Sequence, residues 1–187
     1  LPDHDFWSEI DQVTPAFGYG LLVTPLQLAH AYSVFANEGR LVPLTLLATD
    51  DTHSPGQQVI SPDIASKVIT VLHRVTGDEG TAKRASVPGF NVGGKTGTVH
   101  KVGSAGYLDD RYVALFAGIS PIESPRYVTV VVIDEPKGDI YGGGAAAAPV
   151  YSRITQEVLR IRNAVPDTTQ DDANLPLFAS TGGGAGA

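Results

Sequence analysis

The sequence predicts an α+β fold in which an antiparallel sheet is covered by helices. Two observations carry this prediction. Helical signals lie in the first half of the chain and near its end, and three strand-like runs follow one another between them, at residues 92–99, 112–120 and 127–134. Only a short turn, residues 121–125, separates the last two runs. Because a parallel crossover needs a longer connection, this turn favours a hairpin.

The composition indicates an ordinary globular domain and excludes several functional classes. The chain has 187 residues, of which 42% are hydrophobic, enough for a core. Its net charge of −7 argues against nucleic-acid binding driven by phosphate contacts. It has no cysteine, which excludes disulfides, thiolate metal sites and a cysteine nucleophile. The five histidines lack metal-ligand spacing, so we expect no metal and no cofactor.

The first strong helix signal begins at Thr24. Thr24 can cap the helix, Pro25 suits its first position, and Gln27 completes a capping box. Gly39 is predicted to end this helix in a left-handed conformation. Residues 40–49 are rich in Leu and Val and predict a strand with Pro43 near an edge.

A second helix is predicted after Ser61-Pro62, which repeats the cap-plus-proline signal. Its apolar residues recur with helical spacing and form one stripe: Ile64, Val68, Leu72 and Val75. Gly77 is predicted to end it, and residues 80–85 to form a short helical turn.

The last helix is predicted to open near Pro149, from the spacing of Val150, Ile154, Val158 and Ile161. Periodicity is lost after residue 163, where Asp, Thr, Gly and Ala predominate. We therefore predict one domain over residues 1–163 and a disordered tail over 164–187.

The segment around Lys95 permits two interpretations, and the first is a phosphate-binding loop. Residues 89–96 match the pattern G-x-x-x-x-G-K-[ST], and residues 130–135 look like the strand that holds Mg²⁺ in nucleotide-binding proteins. A phosphate loop, however, needs a buried strand before it and a helix at its lysine. Residues 83–88 are no buried strand, and glycines and β-branched residues after Thr96 oppose a helix. An NTP-binding module is kept as an alternative.

In the second interpretation residues 95–98 form an extended strand. Lys95 and Gly97 then share one face, and Thr96 and Thr98 the other. The two hydroxyls can bind a carboxylate, Lys95 adds positive potential, and Gly97 leaves space for another segment to approach. A backbone N–H at the end of an edge strand is a candidate oxyanion donor. This pattern predicts a site for acyl chemistry on a substrate that ends in a carboxylate.

The Lys95-Thr96-Gly97 triplet and its surroundings resemble class B penicillin-binding proteins, the peptidoglycan D,D-transpeptidases of the division septum. The resemblance covers residues 17–162. Beside the K-T-G triplet it rests on further matching segments, which are residues 18–20, 23–29, 87–90, 116–118, 125–126, 130–136, 141–143 and 148–150.

The resemblance implies an enzyme that crosslinks peptidoglycan stem peptides and is acylated by β-lactams. Thr96, Gly97 and Thr98 would bind the substrate, with the hydroxyls of Thr96 and Thr98 on its carboxylate. The N–H of Thr98 would form half of the oxyanion hole, and Lys95 would assist proton transfer electrostatically. Tyr107 and Tyr141 would place aromatic rings beside the substrate.

The chain departs from the family pattern in one respect. No serine is followed by lysine three positions later, and no S-x-N occurs, so the family's nucleophile and base are absent. The chain also contains no methionine. We therefore expect the C-terminal part of a transpeptidase domain, incomplete in this chain and inactive alone. A non-catalytic protein that keeps the fold is a third hypothesis.

The same resemblance sets expectations for partners and location. We expect the upstream half of the domain to cover core surface that this chain leaves bare, and other division proteins to be further partners. The location expected is the periplasmic face of the bacterial inner membrane, with an anchor upstream.

Overall fold

A computed structural model describes residues 8–14, 18, 21–47, 55–103, 106–138 and 140–167. In chain order its elements are helix α1 (Glu9–Val13), helix α2 (Pro25–Ala36), strands β1 (Arg40–Leu41) and β2 (Gln57–Gln58), helix α3 (Pro62–Arg74), a 3-10 helix (Lys83–Ala85), strands β3 (Gly93–Gly103), β4 (Gly106–Ser120) and β5 (Tyr127–Asp134), and helix α4 (Gly143–Ile161). The predicted combination of an antiparallel sheet with covering helices is confirmed.

The centre of the fold is a three-stranded antiparallel sheet in the order β3-β4-β5. The predicted hairpin between β4 and β5 is present, with Phe116 opposite Val131. The bounds of β5 are as predicted, whereas β3 and β4 extend beyond the predicted runs to form a long hairpin. Within the described residues β3 lies at the edge of this sheet, so alternate backbone groups along it lack a strand partner.

Helix α4 covers one face of the sheet and forms the main core with it. The rings of Phe116 and Tyr151 pack with centroids 4.7 Å apart, and both side chains are fully buried. Val131 and Leu159 join the same cluster. The hydroxyl of Tyr151 donates to the carbonyl of Ile119 (3.3 Å), and burial raises its pKa to about 12. This packing fixes α4 on the sheet and therefore relative to β3.

The predicted start of the last helix near Pro149 is wrong. The helix begins at Gly143, and Pro149 lies in its interior. Residues 145–148 are four alanines, the best helix formers, and they extend the helix to the N-terminal side of the proline. Because the helix starts at Gly143, its first turn lies against β3. A helix that started at Pro149 would not make this contact.

The predicted cap of α2 is confirmed in detail. The amide of Gln27 donates to Oγ1 of Thr24 (3.2 Å), and the amide of Thr24 donates to Oε1 of Gln27 (2.8 Å), which closes the capping box. Gly39 adopts φ 84°, and a Cβ there would lie 2.2 Å from the carbonyl oxygen of Ile60. Only glycine satisfies both conditions, as the sequence predicts.

The strand predicted over residues 40–49 is largely absent. Among the described residues of this run, only Arg40–Leu41 form a strand, which pairs with Gln57–Gln58 in a two-stranded ribbon, while residues 48–49 lie outside the described residues. Pro43 has no N–H for a ladder. Beyond it Thr45 makes local bonds instead, because the amide of Leu47 donates to its hydroxyl (3.1 Å).

Helix α3 and the C-terminal segment complete the frame around β3. Ser61 caps α3 as predicted, accepting from the amide of Ile64, and the short helical turn predicted at 80–85 occurs as the 3-10 helix. The predicted tail starts at residue 164. However, Asp167 accepts from the amide of Asn91 (3.0 Å) and donates its own amide to Gly89 (3.0 Å). Residues 164–167 thus pack on the approach to β3, and residues 168–187 lie outside the described part.

Candidate functional site

Residues 95–98 are extended and lie within β3, which contradicts the phosphate-loop alternative. A phosphate loop requires a helix that begins at its lysine, but Lys95 pairs with Ala117 of the neighbouring antiparallel strand. No buried strand precedes the segment either, since residues 83–85 form a 3-10 helix. The NTP-binding hypothesis is therefore wrong for this chain.

The predicted alternation of side chains along β3 is confirmed. Thr96 lies opposite Phe116, whose ring packs on α4, so Thr96 and Thr98 belong to the face of the sheet that α4 covers. Lys95 and Gly97 belong to the other face. Because β3 is at the edge, the two hydroxyls lie between the start of α4 and the open side of the sheet.

The hydroxyl of Thr98 is held by the first residue of α4. The amide of Gly143 donates to Oγ1 of Thr98 at 3.0 Å. A hydroxyl that accepts one hydrogen bond still has its own proton to donate, so this contact directs the O–H of Thr98 rather than using it up. The approach requires glycine at 143, because a Cβ there would lie 2.4 Å from the oxygen of Leu115 and 2.5 Å from that of Gly97.

The hydroxyl of Thr96 lies beside two further polar groups. Its Oγ1 is 3.5 Å from Oγ1 of Thr81 and 3.4 Å from Nζ of Lys95. Nζ also donates to the carbonyl of Thr96 (2.9 Å). In the part of the chain that the structure describes, no carboxylate forms a salt bridge with Lys95. The ammonium group therefore keeps its charge available to an anion.

These groups share one electrostatic character. Hydroxyl donors, an ammonium group and the N-terminal end of a 19-residue helix all favour a negative charge at this edge of the sheet. Such a set suits the carboxylate of a ligand that lies along β3.

Gly97 serves packing on both of its sides. Its missing Cβ would lie 2.8 Å from Cγ of Leu115, and its backbone oxygen and nitrogen lie close to Gly143. The space predicted beside Lys95 at Gly97 is thus filled by the Leu115 side chain of β4, whereas the start of α4 approaches Gly97 from the opposite face.

Of the two tyrosines predicted near the substrate, Tyr141 lies beside the start of α4. Its ring stacks on Tyr112 with centroids 4.3 Å apart, and the ring of Tyr112 in turn packs on His100 at 4.4 Å. Tyr141 is about half exposed. The backbone of Tyr107 pairs with Val102, four residues beyond Thr98 along β3, or roughly 13 Å. Its side chain lies outside the described residues, and the roles of both tyrosines stay predictions.

Sequence reasoning missed two contributors to the site, Thr81 and Gly143. Nothing near Thr81 in the sequence marks it, because its contact with Thr96 spans 15 residues. The run of three glycines at 142–144 was a usable signal, since glycine at a helix start permits a close approach to another backbone.

No group of three potential metal ligands occurs among the described residues. In the same residues, no helix combines the length and apolar character that a membrane span requires.

Comparison with known proteins places these features in a family. Residues 2–156 match the profile of the penicillin binding protein transpeptidase domain. The chain is 43% identical over 171 residues to the probable peptidoglycan D,D-transpeptidase PbpC of Pseudomonas aeruginosa, covering 91% of this chain and 30% of the relative. It is 37% identical over 185 residues to the peptidoglycan D,D-transpeptidase FtsI of Escherichia coli K12, covering 99% of this chain and 31% of the relative.

A solved structure agrees with this assignment. The transpeptidase domain of Burkholderia pseudomallei penicillin-binding protein 3, in its apo form, superposes with a TM-score of 0.80 at 41% identity, covering 87% of this chain and 50% of that one. The chain thus spans about a third of the curated relatives and half of the solved domain. It belongs to the penicillin-binding protein transpeptidase family and corresponds to the C-terminal part of the transpeptidase domain.

Proposed function

We propose that the protein carrying this chain is a serine D,D-transpeptidase that crosslinks peptidoglycan stem peptides and is acylated by β-lactams. The observation that carries the proposal is the convergence of Thr96, Thr98 and Lys95 with the first turn of α4 at an edge strand. The relatives named above are called peptidoglycan D,D-transpeptidases, and their names agree with the chemistry that this site suits.

In the proposed reaction β3 binds the ligand in two ways. The terminal carboxylate of a stem peptide or β-lactam accepts hydrogen bonds from the hydroxyls of Thr96 and Thr98, close to the ammonium group of Lys95. The peptide itself lies along the edge of β3 that has no strand partner among the described residues, where backbone groups can pair with an added strand. This places the ligand's carbonyl near the N–H of Thr98, the predicted half of the oxyanion hole.

The nucleophile and its base come from the upstream part of the domain, because this chain has no S-x-x-K. Covalent catalysis requires the serine beside its base, so this chain alone is expected to remain unacylated.

Exposed apolar side chains on this chain are consistent with a contact to the upstream half of the transpeptidase domain. Several large apolar side chains on α2, α3 and β5 are 40% exposed or more: Leu26, Ile64, Val71 and Val132. Leu22, just before α2, is fully exposed. Apolar surface of this kind indicates a contact with further protein. We propose that the upstream half of the transpeptidase domain covers it.

The cellular role is proposed from the resemblance alone. A septal transpeptidase acts at the periplasmic face of the inner membrane together with other division proteins, and we propose this setting for the parent protein.

Labelling of the full-length protein with fluorescent penicillin tests the proposal. We expect one label per molecule, lost after prior treatment with unlabelled penicillin and strongly reduced in Lys95→Ala. Lys67→Ala is the matched control, because Lys67 is an exposed lysine paired with Asp63 on α3 and far from the site in sequence. A folded full-length protein that takes up no label would support the non-catalytic hypothesis and contradict the proposal.

A further inference from the structure

Pro149 leaves a backbone carbonyl in the first turns of α4 without its helical donor. In a regular helix the amide of residue 149 would donate to the carbonyl of Ala145. Proline has no amide hydrogen, and its ring crowds the carbonyl four residues earlier. Pro149 lies inside α4, so the carbonyl of Ala145 is left to accept a donor from outside the helix backbone.

Arg84 provides this donor from outside the helix. Its Nη1 donates to the carbonyl oxygen of Ala145 at 3.1 Å, across 61 residues of sequence. Arg84 lies in the 3-10 helix Lys83–Ala85, which packs on α4 through buried Ala82 and Ala85. The guanidinium reaches this carbonyl from outside the helix, so the bond needs no amide at position 149.

The turn held by Arg84 is the turn that contacts β3. Gly143, two residues before Ala145, donates its amide to Oγ1 of Thr98. Gly144 packs so closely on Thr81 that a Cβ at position 144 would lie 2.2 Å from the backbone carbonyl oxygen of Thr81. The turn is therefore fixed between the segment around Arg84 and the backbone of β3, and a change at Ala145 is transmitted to Gly143 through two peptide units.

We propose that Arg84 is a positioning residue, which fixes the first turn of α4 through the carbonyl freed by Pro149 and thereby orients the hydroxyl of Thr98 toward the ligand carboxylate. The inference rests on the proposed function for its catalytic consequence. The effect of Arg84 on the hydrogen bond from Gly143 to Thr98 does not depend on the proposed function.

A purely structural tie between the same elements offers a matched control. One turn beyond Pro149, Oγ of Ser152 donates to the carbonyl of Ser86 at 2.6 Å. This bond joins the same two segments as Arg84 does, but it lies away from the first turn of α4. Ser152→Ala therefore removes a bond of the same kind without freeing the carbonyl of Ala145.

The test uses the full-length protein and compares a carboxylate-bearing β-lactam with its methyl ester. Arg84→Gln is expected to lower the second-order acylation constant for the carboxylate compound about five-fold, the loss of one hydrogen bond, and to leave the ester constant unchanged. Arg84→Lys, which keeps the charge and one donor, is expected to recover part of the loss. Ser152→Ala is expected to change neither constant.

A double variant tests the role of the proline directly. Pro149→Ala restores an amide that donates to the carbonyl of Ala145 and is favourable for helix propensity. In that background Arg84→Gln is expected to lose its effect. Amide hydrogen exchange at Gly143 is expected to rise in Arg84→Gln alone and to return in the double variant.

Three results would overturn the inference: an equal loss for carboxylate and ester, an Arg84 effect that persists with Pro149→Ala, or unchanged exchange at Gly143 in Arg84→Gln. Failure of the wild-type protein to react with either compound would instead contradict the proposed function, and the exchange measurement would still decide the role of Arg84.

Discussion

Gly143→Ala tests the contact between α4 and β3 most sharply. The added Cβ would lie 2.4 Å from the oxygen of Leu115 and 2.5 Å from that of Gly97, whereas an ordinary contact begins near 3.4 Å. All the atoms it meets belong to backbone, so α4 must move away by about 1 Å, the difference between the two distances. That displacement would lengthen the 3.0 Å bond from Gly143 to Thr98 beyond hydrogen-bond range.

The expected loss follows from this displacement. Overpacking costs about 1–3 kcal/mol in stability. Because the displacement acts on acylation through the Thr98 hydroxyl, we expect a loss of about ten-fold in rate, that of one hydrogen bond to a charged group. The assay is the second-order constant of β-lactam acylation of the full-length protein, measured beside thermal unfolding.

Gly142→Ala is the control for this substitution. Gly142 has φ −74°, which alanine adopts freely, and a Cβ there would meet only Oγ1 of Thr98 at 3.8 Å. We expect near wild-type acylation for Gly142→Ala. A Gly143→Ala protein that is acylated as fast as wild type would refute the claim that the start of α4 sets the position of Thr98.

Three further predictions concern the site, a helix cap and the C-terminal segment. Thr98→Val is expected to slow acylation by carboxylate-bearing β-lactams about ten-fold in kinetic assays, with Thr98→Ser close to wild type; equal rates for both variants would contradict a role for the hydroxyl. Thr24→Ala removes the capping box and is expected to lower the free energy of unfolding by about 1 kcal/mol in chemical denaturation. Thr70→Ala, at an exposed position within α3, is the control and is expected to lower it less. Equal losses in the two variants would contradict a stabilising role of the cap. Burial is the main cause that raises the pKa of Asp167 above its ordinary 3.8, and the negative charge of Glu123 raises it further. Ionisation of Asp167 therefore destabilises the folded state as the pH rises through that raised value. Asp167→Asn is therefore expected to raise the melting temperature near pH 7 but not below pH 4, and the opposite pH trend would contradict this.

Local signals in the sequence predicted much of the fold. The capping box at Thr24, the cap at Ser61 and the β-branched run of β5 each contain their own explanation within a few residues. The strand at Lys95 was also predictable, because the phosphate-loop pattern lacked the helix that its physics requires.

The wrong predictions have a common physical cause: neighbouring residues and distant contacts outweighed the local pattern on which each prediction was based. Pro149 indicated a helix start, but four preceding alanines carried the helix past it. Residues 40–49 had strand composition, but a strand also needs a partner, and Pro43 cannot donate to one. The contacts of Thr81 and Arg84 join segments 15 and 61 residues apart, so only the folded chain reveals them.

We propose that β3 presents Thr96 and Thr98 to the carboxylate of an acylating ligand. The most direct measurement is a crystal structure of the full-length protein acylated by a β-lactam. We expect the ligand carboxylate within hydrogen-bond distance of both hydroxyls, with the ligand lying along the edge of β3. A carboxylate bound elsewhere, with Thr98 Oγ1 remote from it, would contradict this role of β3.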